Sequence, residues 1–105
     1  MSEKKRILLI DNEEGLCRMM EAVLLDSGYK VKAYTRSFQA VEEFVPGDWD
    51  LVISDIKMPG MDGLEVLQRI KAMQARQWAG VDFSGFPRRL RMDMPWSGFV
   101  ITVAA

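Results

Sequence analysis

Two aspartates end short apolar runs, where an acid is costly to bury unless it does chemistry or caps the next element. Asp11 ends "ILLID" and is followed by Asn12, and Asp55 ends "LVISD". Two carboxylates about 4 Å apart repel by roughly 4 kcal/mol at an effective dielectric of about 20. Mg²⁺ would compensate, because it accepts one or two carboxylates with carbonyl oxygens and waters. One interpretation is a magnesium site at which a metal-bound aspartate attacks a phosphoryl group. The alternative is that both acids only cap a helix and a turn.

The segment after the second acid, "DIKMPGMDG", favours the chemical interpretation. Pro59, Gly60 and Gly63 predict a defined turn before the next helix. Asp62 is better placed than Asp55 to cap that helix. A structural turn therefore does not require Asp55.

The chain up to residue 73 alternates strand patterns with helix patterns. Three apolar or alternating runs predict strands, at 6–11, 29–34 and 51–54. Three stretches with helical spacing lie between and after them, at 12–28, 37–45 and 63–73. In the last helix Leu64, Leu67 and Ile70 share one face. Such alternation predicts a parallel sheet with helices on both faces, so Asp11 and Asp55 are expected to meet at the edge where the strands end.

The composition excludes several classes of protein. The 105 residues carry a net charge of −1, which gives no general attraction to nucleic acid or membrane. The chain has no histidine, which excludes histidine metal sites and Ser-His-Asp triads. Its single cysteine, Cys17, is expected to be a small buried apolar residue in a reducing compartment. No signal peptide and no run of about 20 apolar residues is visible, so a cytoplasmic location is expected.

The segments "ILLIDNEEG" and "DLVISDIKMPGMDG" resemble the receiver domain of bacterial two-component response regulators, over residues 5–73. The resemblance implies a flavodoxin-like, doubly wound parallel sheet with strand order 2-1-3-4-5. It also implies that a histidine kinase phosphorylates one aspartate in the presence of Mg²⁺. By position, Asp55 is the phosphoacceptor, and the implied metal ligands are Asp11, Asn12, Asp55 and the backbone carbonyl of Lys57. Asn12 stands where the family usually has a second acid, so a weaker metal site is expected.

Residues 74–105 depart from the family pattern. "VDFSGFP", at 81–87, resembles the fourth strand and makes Ser84 the switch hydroxyl that contacts the phosphoryl group. "GFVITVAA", at 98–105, resembles the fifth strand, but no lysine follows Lys71, so the family's strand-five lysine is missing. The last helix is missing by length, and the prolines around "RRLRMDMPW" predict an irregular fourth helix. A shifted reading frame or an altered terminus would produce these departures.

The leading hypothesis is a single receiver-like domain over 1–105 that accepts a phosphoryl group at Asp55 from a sensor histidine kinase or a phosphotransfer protein. It would be a signalling protein and not an enzyme, slow to react with small phosphodonors. We expect a monomer or weak homodimer without direct contact to nucleic acid or membrane. One alternative is a pseudo-receiver, an interaction module without phosphotransfer. A second is a haloacid-dehalogenase-like phosphatase that uses Asp11 and Glu13, which leaves "DIKMPGMDG" unexplained.

Overall fold

The computed structural model describes residues 5–73 and two further strand segments, 78–79 and 99–104. In chain order the elements of this described part are β1 Arg6–Ile10, α1 Glu14–Asp26, β2 Lys30–Tyr34, α2 Ser37–Glu42, β3 Leu51–Asp55, α3 Gly63–Met73, β4 Trp78–Ala79 and β5 Phe99–Ala104. The first six elements match the predicted pattern, although α2 is shorter than expected.

The first three strands form a parallel sheet in the order β2-β1-β3. β1 pairs along its whole length with β2, and the last of these pairs joins Ile10 and Tyr34. On its other side, Ile10 lies opposite Ser54 of β3. These pairings confirm the predicted flavodoxin-like arrangement of the first three strands. They also bring the carboxyl ends of all three strands to one edge of the sheet, where ligands bind in such folds.

The side chains of β1 alternate between two hydrophobic layers, as expected for a strand covered on both faces. The layer beneath α1 consists of Ile7, Leu9, Cys17, Met20, Leu24, Leu51 and Ile53. The layer beneath α2 and α3 consists of Leu8, Ile10, Tyr34, Ala40, Phe44, Val52, Met58, Met61, Val66, Leu67 and Ile70. Cys17 is therefore buried, as predicted, and its thiol donates to the backbone carbonyl of Tyr34 at 3.8 Å.

The three helices cover the sheet with short amphipathic faces. α1 has 13 residues, and α3 turns Val66, Leu67 and Ile70 inward. The prediction for Leu64 is wrong: this side chain is 55% exposed, because the buried face of α3 begins at Gly63 and continues at Val66. No helix in the described part of the chain has both the length and the apolar character needed to cross a membrane.

The structure differs from the predicted strand order beyond β3. β5 confirms a strand within 98–105, but it lies directly beside β3 and runs antiparallel to it, with Leu51 opposite Val103 and Asp55 opposite Phe99. β4 pairs antiparallel with the other side of β5. An apolar run predicts a strand without giving its direction, and sheets that combine parallel and antiparallel pairs are common. The predicted fourth strand and irregular fourth helix lie outside the described residues.

Candidate functional site

The side chain of Asp11 is fully buried just past the end of β1. Its backbone N–H donates to the carbonyl oxygen of Tyr34 on β2 at 3.0 Å, which extends the contact between the two strands. Its Oδ1 accepts the backbone N–H of Glu13 at 3.1 Å. Its Oδ2 has no hydrogen-bond partner among the described residues. Because a buried polar atom without a partner is costly, Oδ2 marks a position suited to a further ligand.

Asp55 is the last residue of β3, and it is partly exposed. Ile10 of β1 and Ser54 of β3 are paired neighbours. The residues that follow them, Asp11 and Asp55, therefore lie side by side at the edge of the sheet. Oδ1 of Asp55 accepts the backbone N–H of Lys57 at 3.2 Å. The structure thus brings together the two acids that the sequence predicted to meet.

Burial and the neighbouring Asp55 perturb the carboxyl group of Asp11. The pKa of Asp11 is raised from 3.8 to about 6, mainly because the carboxyl group is buried, and the negative charge of Asp55 contributes to this shift. The backbone N–H of Glu13 acts in the opposite direction without outweighing burial. When Asp11 carries a proton it can donate a hydrogen bond to Asp55, which also favours the neutral form. At neutral pH the folded protein therefore holds two carboxylates close together at an energetic cost, and a divalent cation would offset that cost.

The loop between Asp55 and α3 is fixed by backbone contacts and by two buried methionines. Met58 and Met61 pack into the layer beneath α2 and α3. The N–H of Gly63 donates to the carbonyl oxygen of Ile56 at 2.9 Å. A Cβ atom at Gly63 would lie 2.2 Å from the carbonyl oxygen of Asp55, so a larger residue would force the backbone to move. This close approach explains the glycine and fixes the backbone of Asp55.

Helix capping explains only part of what the two acids do. Each acid accepts the backbone N–H two residues later in the chain, Glu13 for Asp11 and Lys57 for Asp55. The cap of α3 comes from Asp62, which accepts the N–H of Glu65 at 2.9 Å, as predicted. Capping therefore accounts for one oxygen of each acid, but not for the buried second oxygen of Asp11.

The structure describes two of the three other predicted site residues. Asn12 directly follows Asp11, Lys57 lies two residues after Asp55, and both are exposed. The predicted switch hydroxyl, Ser84, lies outside the described residues. Within the described part of the chain, no group of three or more His, Cys, Asp or Glu side chains is arranged to hold a metal ion. A cation at this edge would therefore rely on two carboxylates supplemented by amide and backbone oxygens.

One element of this edge was not anticipated from the sequence. A cleft of about 530 Å³ opens beside Asn12, and Arg36, Phe38 and Pro59 lie on its walls. Arg36 comes two residues after the end of β2, at the same edge as the acids. Asp11 and Asp55 were placed at that edge because the carboxyl ends of parallel strands meet there. The same rule, applied to the residues that follow β2, would have placed Arg36 at this edge too.

The fold is that of a known family. The chain matches the response regulator receiver domain over residues 7–81, well over half of its length. It therefore belongs to the response regulator receiver domain family. Receiver domains of this family are signalling modules of two-component systems and not enzymes in the ordinary sense.

Curated relatives of known name lie within the same family. The chain is 36% identical to sporulation initiation phosphotransferase F of Bacillus subtilis over 73 residues, which covers 70% of this chain and 57% of that protein. It is 37% identical to regulatory protein VanRB of Enterococcus faecalis over 67 residues, which covers 64% of this chain and 30% of that protein. The chain thus spans less than two thirds of the length of either relative.

Solved structures agree with this membership. The response regulator TrrA from Thermotoga maritima, in complex with Mg²⁺ and BeF, aligns with a TM-score of 0.60 at 38% identity, over 65% of this chain and 59% of that one. The same protein bound to the histidine kinase ThkA aligns with a TM-score of 0.59 at 38% identity, over the same shares of the two chains. In that structure the receiver protein TrrA is in complex with a histidine kinase.

Proposed function

We propose that this chain is a phosphoacceptor receiver domain in which Asp55 takes a phosphoryl group from a sensor histidine kinase or a phosphotransfer protein. The observation that carries the proposal is the buried Oδ2 of Asp11, which has no partner among the described residues and lies beside the partly exposed Asp55. A pair of acids with only structural roles would not need this costly arrangement. The complex of TrrA with Mg²⁺ and BeF supports the same interpretation.

The metal of this proposal is Mg²⁺, held by Asp11, Asn12, Asp55 and the backbone carbonyl of Lys57. Oδ2 of Asp11 has no partner among the described residues, and the charge of Asp55 lies beside it, so negative charge at this edge is left without a compensating group there. When bound, Mg²⁺ would neutralise part of that charge and polarise the phosphoryl oxygens. Asn12 contributes a neutral oxygen in place of an acid, so we expect a weaker metal site than two acids at positions 11 and 12 would give.

The residues themselves perform a simple substitution at phosphorus. The N–H of Lys57 holds Oδ1 of Asp55 and so orients the carboxylate at the accessible end of β3. A carboxylate oxygen attacks the phosphorus atom, the new P–O bond forms, and the bond to the leaving group breaks with its electron pair on the leaving group. Asp55 becomes an acyl phosphate. Small phosphodonors lack the contacts that a partner protein would add, so we expect them to react slowly.

The test is intact-mass measurement after incubation with acetyl phosphate and Mg²⁺. We expect one added phosphoryl group in the parent and none in Asp55→Asn or in the presence of EDTA. Asp48→Asn is the matched control, because Asp48 is an exposed acid in the loop that precedes β3, away from the acidic edge. An adduct that survives Asp55→Asn would refute the assignment of the residue. A parent that binds Mg²⁺ but takes no phosphoryl group would favour an interaction module without phosphotransfer.

A further inference from the structure

The cleft on the β2 side of the molecule has the size of a small-molecule site. Its volume is about 530 Å³, and ligand pockets typically measure roughly 300–1,000 Å³. Most of its described lining comes from residues 35–42, in the loop after β2 and in α2. Neither Asp11 nor Asp55 is among the described residues of its walls. A ligand in this cleft would therefore occupy a site of its own, separate from the two acids.

Two opposite charges line this cleft without neutralising each other. Arg36 is the one cation and Glu42 the one anion among its described lining residues. Both side chains are exposed. The ion pairs found in the described part of the chain join other residues, so within that part Arg36 and Glu42 pair neither with each other nor with a third group. Because the two charges sum to zero, the cleft is matched to a ligand that carries one charge of each sign.

A buried hydroxyl group lies next to the cation in the chain. Ser37 is only 5% exposed, yet it lines the cleft. Its hydroxyl makes no hydrogen bond to any of the described residues, so it is available to a molecule in the cleft. The guanidinium of Arg36 presents paired N–H donors that fit the two oxygens of a carboxylate. These two side chains together suit a carboxylate better than a phosphate dianion, because Arg36 brings a single positive charge.

Phe38 gives the cleft a flat apolar wall. It lines the cleft and is 58% exposed, although phenylalanine is usually buried. The ring is held in place by the chain, because a Cβ atom on Gly60 would come within 2.8 Å of Cε2 of Phe38. The ring therefore lies directly against the backbone of Gly60. With Pro59 also on the wall, Phe38 offers a preformed surface on which a second aromatic ring can stack.

Glu42 lies on the same face of α2 as Phe38. The two residues are four positions apart in a helix that spans Ser37–Glu42, and side chains at this spacing are neighbours. Helical side chains also lean toward the amino end of their helix, which carries the carboxylate of Glu42 toward Phe38 and Arg36. A carboxylate beside an aromatic ring suits an ammonium group. The cleft thus combines groups for a carboxylate, an aromatic ring and an ammonium.

We propose that this cleft binds a free aromatic α-amino acid. The carboxylate of the ligand lies at Arg36 and Ser37, its ammonium group lies at Glu42, and its ring lies against Phe38. Such a ligand carries one charge of each sign on neighbouring atoms, which matches the two unpaired charges of the cleft. Its binding needs no phosphoryl transfer at Asp55, so the cleft is a second site of the domain.

NMR titration with L-tryptophan and three reference compounds, in EDTA, tests the class of ligand. Tryptamine lacks the carboxylate, indole-3-propionate lacks the ammonium group, and L-alanine lacks the ring. Relative to L-tryptophan, the loss of either charged group should raise the dissociation constant about tenfold. The loss of the ring should raise it at least about threefold. No binding of L-tryptophan, or equal dissociation constants for the four compounds, would overturn the proposal.

Three substitutions of exposed side chains assign the individual contacts. Arg36→Ala should weaken L-tryptophan about tenfold but change tryptamine, which has no carboxylate, by less than about twofold. Glu42→Gln should likewise weaken L-tryptophan about tenfold but not indole-3-propionate. Phe38→Leu should weaken L-tryptophan at least about threefold but not L-alanine. An equal loss for L-tryptophan and for the compound that lacks the group would overturn the contact concerned.

Two controls test the position of the ligand. Arg69→Ala removes an exposed arginine on α3 that pairs with Glu65 at 3.9 Å, outside the described lining of the cleft, and it should leave the affinity for L-tryptophan unchanged. A loss as large as that of Arg36→Ala would show general attraction by charge and would overturn the site. Asp55→Asn should also bind L-tryptophan like the parent. Weaker binding in Asp55→Asn would show that the ligand reaches the acids and would overturn the separate site. Because no phosphodonor is present, these results do not depend on whether Asp55 accepts a phosphoryl group.

Discussion

Replacing Asp11 by asparagine should stabilise the metal-free protein at neutral pH, and much less in acid. Asp11 is buried beside Asp55, and burial is the main cause that raises its pKa from 3.8 to about 6. Asparagine keeps the shape of the side chain and an oxygen that can accept the N–H of Glu13, but it cannot ionise. The substitution therefore removes a charge that the folded state holds at a cost.

The size of the effect follows from the linkage between proton binding and folding. A group with a raised pKa in the folded state contributes stability that is complete below the unfolded value of 3.8 and is lost as the pH rises through about 6. A shift of roughly two pKa units, at about 1.36 kcal/mol per unit, corresponds to about 3 kcal/mol. The parent loses this stability as Asp11 ionises, whereas Asp11→Asn has no such loss.

Urea unfolding in EDTA measures the difference. Asp11→Asn should be more stable than the parent by about 3 kcal/mol at a pH of about 7.5. At a pH of about 4.5 the difference should be smaller by about 2 kcal/mol, which leaves about 1 kcal/mol. The exposed Asp48 provides the control, because Asp48→Asn should change stability by less than about 0.5 kcal/mol at both pH values. A stability gain in Asp11→Asn that stays the same at the two pH values would refute the reasoning.

Mg²⁺ should oppose the effect of this substitution. A ligand that binds only the folded state stabilises it in proportion to its affinity, so Mg²⁺ should raise the melting temperature of the parent. Asp11→Asn removes one of the two carboxylates that would hold the ion, so its melting temperature should rise less. If Mg²⁺ raises the melting temperatures of the parent and of Asp11→Asn equally, Asp11 is not a metal ligand. This conclusion would hold even if urea unfolding shows the expected difference between the two pH values.

Substitutions at three further positions test the loop and the metal site. Gly63→Ala would place a Cβ atom 2.2 Å from the carbonyl oxygen of Asp55, so urea unfolding should show a loss of at least about 2 kcal/mol. Asp62→Ala removes the acceptor for the N–H of Glu65 and should cost about 1 kcal/mol, whereas Asp62→Asn should cost less. Asn12→Asp should tighten Mg²⁺ binding measured by calorimetry and should lower the stability of the metal-free protein, because it adds a third carboxylate.

A control variant and three possible results would show whether these expectations are wrong. Gly15 lies within α1, and a Cβ atom there would meet only the end of the Glu13 side chain at 3.2 Å, so Gly15→Ala should be neutral or slightly stabilising. A Gly63→Ala variant as stable as Gly15→Ala would contradict the close backbone contact. Equal losses in Asp62→Ala and Asp62→Asn would show that the lost hydrogen bond is not the cause. Unchanged Mg²⁺ affinity in Asn12→Asp would show that position 12 is not a ligand.

The acidic edge was predictable because it depends on local patterns and one topological rule. Alternating strand and helix patterns imply parallel strands, and parallel strands bring their carboxyl ends together, so Asp11 and Asp55 had to meet. The cap at Asp62 followed from its position before a helical pattern. Leu64 could not be placed in the same way. Helical spacing alone allowed an inner face through Leu64 or one through Val66, and the packing of α3 against the sheet decided between them.

The direction of β5 could not be predicted, because direction is not encoded in an apolar run. "FVITVA" has the pattern of a buried strand whichever way it runs, and β3 offers the same backbone N–H and carbonyl groups to a parallel or an antiparallel neighbour. The resemblance to a family implied the parallel choice and a fourth strand between β3 and β5. The structure instead places β5 directly beside β3.

The direction of β5 bears on the charge around Asp55. In the antiparallel register, residue 103 lies opposite Leu51, and Asp55 lies four residues further along β3. At about 3.3 Å per residue, this separation is roughly 13 Å. The resemblance places the missing lysine within "VAA", at 103–105. A cation at position 103 would lie near the amino end of β3 and not beside the acids. The parallel strands offer another source of positive charge, because the end of β2 brings Arg36 to the edge that holds Asp11 and Asp55. Under the proposed function, positive charge beside a phosphoryl group on Asp55 would therefore come from the β2 side of the site.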